Sequence, residues 1–356
     1  MAKERLHNLA QTSATFQVRG IVTGMKKEKA YQSGTTHSGG QWNSIEFGLT
    51  IDNNKTVFVK LRGFPRNEVF YYKRGEKKGD KGTTVKVAWK DRFKSPGEGF
   101  RLIGVNCSVG KDENGKNVNQ MFTEYDAVEY LRKTLTDGDS LFVKGNMEFS
   151  SYEGKDNQVH RKIELNPTQV SYTNEPIDFN AEGFTPMAEF ENTLVFSSIN
   201  KDEDENGKAT GKFILSGYYI GYNTVEPVSF IINATEAKLA TNLKKAMKPG
   251  YSIKTYGRID VINDISTVDD EDDGWGKTSP MERANSSTKR EYVVYKAVRD
   301  SIDTETYNED DIAKAMKKIK QAKEASEKFA DKDETVASTD SDWDDDDDFD
   351  DGSEPW

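Results

Sequence analysis

Along residues 42–62 apolar and polar positions alternate with period two. Ile45, Phe47, Leu49 and Ile51 share one face, and Val57, Val59 and Leu61 follow an Asp52-Asn53-Asn54 turn. This spacing predicts a hairpin with one buried face. Its other face carries Thr56, Phe58, Lys60 and Arg62, an aromatic beside two cations where a purely structural strand needs only polar groups. Upstream, residues 16–29 predict a long strand with Gly20 and Gly24 placed to bend it. Downstream, Val128, Leu131 and Leu135 form one helical stripe over residues 125–135. An Asp137-Gly138-Asp139 turn then leads into strands over 140–149 and 159–170.

Five strands with a helix before the fourth is the order of an OB-fold, an open Greek-key barrel that binds oligonucleotides. The same order recurs. Residues 190–199, 212–222 and 227–233 repeat the first three strands. Leu239, Leu243 and Met247 mark a helix over 236–247, and strands follow over 251–262 and 290–298. The expected fold is mainly β with α additions: tandem OB-fold-like barrels, a C-terminal helix and a disordered acidic tail. The expected domains are a basic OB-fold domain over 1–173, with an aromatic and basic insertion at 64–101, and a second OB-like domain over 174–307 with an acidic loop at 266–289. A helix over 308–330 follows, capped by Asn308, its stripe of Ile312, Ala315, Ile319 and Ala322 docking on the second barrel. The tail is residues 331–356, without periodicity and rich in acid, Ser and Thr.

Charge sharpens this division. The net charge of -11 over 356 residues conceals a basic front, where 28 basic residues face 20 acidic ones over 1–173. In residues 331–356 a single lysine faces 13 acids. A basic module joined to a solvated acidic end suits a polyanion ligand. Apolar runs are far shorter than the roughly 20 residues a bilayer requires. The first ten residues hold no apolar segment of a secretory signal, so the protein is expected to stay where it is made. One cysteine, Cys107, and three histidines exclude an internal disulfide and a structural zinc site.

The sharpest local chemistry lies in residues 54–101, where fourteen Lys or Arg face five acids and eight aromatics are interleaved. Phosphates need cations and unpaired bases need flat faces. The candidate nucleic-acid-binding residues are Trp42, Phe58, Lys60, Arg62, Phe64, Arg66, Tyr71, Tyr72, Lys73, Arg74, Lys77, Lys78, Lys86, Trp89, Lys90, Arg92, Phe93 and Lys94. Phe58 and Trp42 alternate out of phase with the core, which favours exposure. Trp89 is in phase with Val85 and Val87, which fits a core position equally well. In the second barrel, Tyr218, Tyr219 and Tyr222, with Lys254, Tyr256 and Arg258, fit an extended nucleic-acid path and a structural role equally.

No catalytic constellation appears. His7 is placed in an N-terminal tail, His37 in a loop and His160 at a strand start, each expected at the surface with no nucleophile beside it. There is no GxxxxGK[ST] phosphate loop, and Asp269 to Asp273 suit an acidic loop better than a two-metal site. No enzyme activity, cofactor or metal is expected.

The C-terminus runs Trp343, Asp344, Asp345, Asp346, Asp347, Asp348, Phe349, Asp350, Asp351, Gly352, Ser353, Glu354, Pro355, Trp356. It resembles the acidic tip of bacterial single-stranded DNA-binding proteins, with Pro355 and Trp356 where that family has Pro and Phe. The longer phage-encoded members are more alike in architecture. The resemblance implies a protein that coats single-stranded DNA in replication, recombination or repair, in the cytoplasm of a bacterial, phage-infected cell. It implies that Asp344 to Asp348, Phe349, Asp350, Asp351, Pro355 and Trp356 recruit partner enzymes. The same stacking chemistry serves RNA. The competing expectation is a non-catalytic interaction scaffold, a virion component or an enzyme-loading adaptor built on OB-like domains.

Overall fold

Alternation in the segment ATFQVRGIVT places Phe16, Val18 and Val22 inside and polar residues between them, so this segment forms the first strand of a barrel wall. The computed structural model describes residues 5–36, 39–53, 55–77, 80–113, 115–154, 159–204, 206–263 and 288–333. The chain forms two compact units, Ala14–Phe190 and a second made of Met1–Ser13 with Glu191–Trp356.

The first unit contains β1 (Ala14–Thr23), β2 (Tyr31–Thr35), β3 (Gln41–Asp52), β4 (Lys55–Gly63), β5 (Glu68–Lys73), β6 (Thr83–Ala88), β7 (Arg101–Leu102), β8 (Val105–Lys111), β9 (Asn117–Phe122), α1 (Glu124–Thr134), β10 (Ser140–Glu153) and β11 (Val159–Tyr172). β1 pairs antiparallel with β3 and with β10, β3 pairs with β4, and β10 pairs with β11. β11 runs parallel to β8 and lies against β4, which closes the wall. Strands this curved must approach one another closely at points. A Cβ at Gly20 would lie 2.7 Å from the Thr50 carbonyl oxygen, and one at Gly145 would lie 1.9 Å from that of Asn166, where β10 bulges. The predicted strand over 16–29 ends earlier, at Thr23. Gly24 adopts φ 85° and a 3-10 turn follows at Glu28–Ala30. α1 starts at Thr123, whose hydroxyl accepts the Asp126 N–H, and it buries Ala127, Val128 and Leu131.

The second unit takes most of β12 (Met187–Glu203) and adds β13 (Ala209–Ile220), β14 (Val225–Ile232), α2 (Ala237–Ala246), β15 (Ser252–Asn263), β16 (Thr288–Asp303) and α3 (Glu309–Asp333). β12, β13 and β14 form a meander, and β15 flanks β12. β16 pairs antiparallel with β15 and parallel with β14, through Ile231 and Val293. The ring is complete, with the helix inserted before its fourth strand: an OB-like barrel. Asn308 caps α3 by accepting the Asp311 N–H at 2.8 Å, and Ile312, Ala315 and Ile319 bury against Val195, Ile220 and Val225.

The segment before Ala14 is not a surface tail. Leu6 and Leu9 pack on the cluster of Tyr307 and Ile312, and Thr12 Oγ1 accepts the Ile220 N–H at 2.9 Å. His7, expected at the surface, is buried because those neighbouring leucines seat the segment. Burial holds its imidazole below the usual histidine range, and Arg5 adds to this. The expected acidic loop at 266–289 lies almost wholly outside the described residues, as does the tail beyond residue 333.

Candidate nucleic-acid interface

On the outer face of the β3–β4 hairpin, the register sets Gly48 opposite Phe58, Glu46 opposite Lys60 and Ser44 opposite Arg62. A Cβ at Gly48 would come within 3.3 Å of the Phe58 ring, so the glycine gives that half-buried ring its space. Lys60 differs from expectation: its Nζ sits 3.5 Å from Glu46 and 4.0 Å from Glu164 of β11, where carboxylates already neutralise it. Arg62 lies 5.4 Å over the Trp42 ring, and Trp42 rests on the backbone of Gly34. Trp42 is therefore half-buried rather than freely presented.

The segment after β4 builds its own sheet, in the order β6-β5-β7. Its inner face carries Val69, Tyr71 and Leu102, with Val87, Trp89 and Phe100 packed against them. This overturns the reading of Tyr71 as a base-stacking residue. The ring is in the core and its hydroxyl donates to the Arg92 carbonyl oxygen at 2.7 Å. Trp89 is half-buried against the same cluster, in phase with Val87.

The outer face is different. Phe70 pairs across with Lys86, and Tyr72 has Thr84 on one side and Arg101 on the other. Phe70 is 37% and Tyr72 42% exposed, and the Lys86 ammonium stands 5.6 Å over the Phe70 ring while reaching Glu68 at 2.9 Å. The Tyr72 ring lies against Gly82, where a Cβ would come within 2.3 Å of its outer atoms. Two exposed rings, Arg101 and the Lys86–Glu68 ion pair thus share one surface of a sheet backed by an apolar layer.

Arg92 is not available to a phosphate. Its Nε and Nη2 donate to the two carboxylate oxygens of Asp126 at 2.8 and 3.0 Å, and that hydrogen bonding raises the guanidinium pKa further. The guanidinium carbon lies 4.5 Å from the ring centroids of both Trp89 and Phe93. Phe93, 62% exposed, is therefore a ring held by a charge-fixed neighbour and open on the surface.

Phe64 is exposed, and Arg66 reaches Glu124 at 3.7 Å. Lys94 bridges to Asp91 at 2.8 Å, the lysine well exposed and the aspartate partly so. Lys73 stands 5.9 Å over Phe100 and, with Arg74 and Lys81, lines a shallow hollow that Glu76 and Asp80 also border. Lys77 and Lys90 are exposed. Lys78 and the tip residues 344–356 lie outside the described residues.

Arg101 was missed by sequence reasoning, because only the β5–β7 pairing puts it beside Tyr72. A second missed surface is the outer end of the β10–β11 hairpin. There Tyr152 stacks on His160 with centroids 5.4 Å apart, next to exposed Val159. Tyr152 and His160 carry no aromatic clustering in sequence that would have marked them. Among the described residues no group of three or more His, Cys, Asp or Glu could hold a metal ion, and no helix is long and apolar enough to cross a membrane.

A barrel with a basic, ring-bearing sheet inserted after its third strand defines a mainly β, OB-like class of protein. The YorF family model matches residues 74–331, well over half of the chain, so the protein belongs to the YorF family. No curated protein matches the sequence. Among solved structures, the wild-type single-stranded DNA binding protein of Thermus aquaticus aligns at 9% identity and a TM-score of 0.37, covering 82% of this chain and 94% of that one. A deletion mutant of the same protein aligns with the same identity and score, covering 96% of its chain. Values this low transfer no function.

Proposed function

We propose that this protein binds single-stranded DNA, and RNA by the same chemistry, through the first unit. The observation that carries the reading is the outer face of the β5–β6–β7 sheet, where Phe70 and Tyr72 lie exposed between Lys86 and Arg101. Flat faces accept unpaired bases at about 1–3 kcal/mol each, whatever the sequence, while ammonium and guanidinium groups meet the phosphates. Phe93 on its Arg92 support is a third platform, and the cationic hollow of Lys73, Arg74 and Lys81 borders the same sheet. A duplex keeps its bases stacked inside, so the surface selects single strands. The acidic segment Asp344 to Asp351, with Pro355 and Trp356, recruits replication, recombination or repair enzymes by charge steering and ring insertion.

The test is a titration of intrinsic Trp and Tyr fluorescence with poly(dT) and poly(U) at two salt concentrations. Strong quenching that weakens with salt is expected. Fluorescence untouched by either polymer removes this reading and leaves the interaction scaffold.

A further inference from the structure

Residues 174–330 are acidic, with 28 acids against 21 basic residues, yet the stretch 312–323 of α3 concentrates cations. No acid interrupts residues 312–323, which hold Lys314, Lys317, Lys318, Lys320 and Lys323. Burial of Ile312, Ala315 and Ile319 on the barrel fixes the rotation of the helix, so all five lysines are held at the exposed surface. Lys314 is tied to Asp311 at 3.2 Å. Among the described residues no carboxylate reaches Lys317, Lys318, Lys320 or Lys323. Like charges spaced by three and four residues repel one another along a helix, and a face serving solubility alone would alternate signs. A bound polyanion relieves that repulsion and releases its own counterions.

We propose that the exposed face of α3 is a second phosphate-binding surface, gripping the sugar-phosphate chain of single-stranded nucleic acid. The inference rests on the function proposed above. Compact ammonium charges contact phosphates irrespective of sequence, so these lysines add affinity and salt dependence but no stacking.

The test is the full-length variant K317Q/K318Q/K320Q/K323Q. Glutamine keeps the helix propensity, and circular dichroism checks the fold. In oligo(dT) titrations across salt, each lost single-strand phosphate contact removes roughly 0.7 from the slope of log affinity against log salt. The expected result is a slope reduced by about 2–3 and low-salt affinity down by about tenfold or more, with the fluorescence quench at saturation unchanged. The matching fourfold Lys→Arg variant is expected to retain the wild-type slope. A wild-type slope in the glutamine variant, with wild-type protein binding and quenching normally, overturns the surface and leaves the stacking site standing. Tighter binding by the glutamine variant also overturns it, and assigns the lysines to the chain's own acidic segment. Wild-type protein that neither binds nor quenches removes both proposals.

Discussion

Arg92 and Asp126 form a two-pronged ion pair, at 2.8 and 3.0 Å, between the turn after β6 and the first turn of α1. It pins the inserted sheet to the barrel, since the same Arg92 backbone carbonyl receives the Tyr71 hydroxyl and the same guanidinium lies between two rings. Asp126 also accepts the Thr123 hydroxyl at 2.7 Å, so the pair is wired into the helix cap.

Removing one partner strands the other in a half-buried site. Asp126→Ala is expected to cost about 1.5–3 kcal/mol, the worth of hydrogen bonds to a charged group. Limited proteolysis should cut first within residues 64–101. Arg92→Lys should recover little, because an ammonium cannot span two oxygens in a plane. Unchanged melting and cleavage in both variants would show that the pair does not anchor the sheet.

Adjacent residues of β5 point to opposite faces and should behave oppositely. Tyr71→Ala empties the core of the inserted sheet and is expected to cost about 3–5 kcal/mol, as large aromatic truncations do. Tyr72→Ala and Phe70→Ala should change the melting temperature little and weaken oligo(dT) binding by about 1–3 kcal/mol each. Full affinity in both outer-face variants would move the stacking site away from this sheet.

Cys107 is buried in β8, and burial pushes its thiol up to about 12. The folded thiol keeps its proton while an unfolded one ionises from about pH 9, so this group's contribution to stability falls between about pH 9 and about pH 12. At pH 8 native protein should resist iodoacetamide, while denatured protein should take up one equivalent. Rapid native labelling would contradict the burial.

Deleting residues 334–356, which removes most of the acids of the C-terminal block but leaves α3 whole, is expected to tighten oligo(dT) binding and flatten its salt response. A tethered polyanion competes at high effective concentration for cationic surfaces. Equal or weaker binding after truncation would show that the segment does not compete.

The β3–β4 hairpin and the three helix stripes were legible because each buries one face and has the matching period. Asn308 was legible as a cap for a similar local reason: its partner is three residues away. The inserted sheet was not. Phe70, Tyr71 and Tyr72 in succession carry no period, and only the pairing of Val69 with Val87 decides which ring is inside. Arg92 read as a free cation because its carboxylate lies 34 residues onward, and Lys60 because Glu164 is on another strand. Composition marked the region where rings and cations meet, while partners distant in the chain decide which of them remain open.

Leu6, Leu9 and Thr12 find their partners at Tyr307, Ile312 and Ile220, so this segment stays unseated until residues far later in the chain have been made. Until then it is an unsatisfied apolar segment, open to the wrong contacts. An expression clone starting at Ala14 would leave an oily scar beside α3.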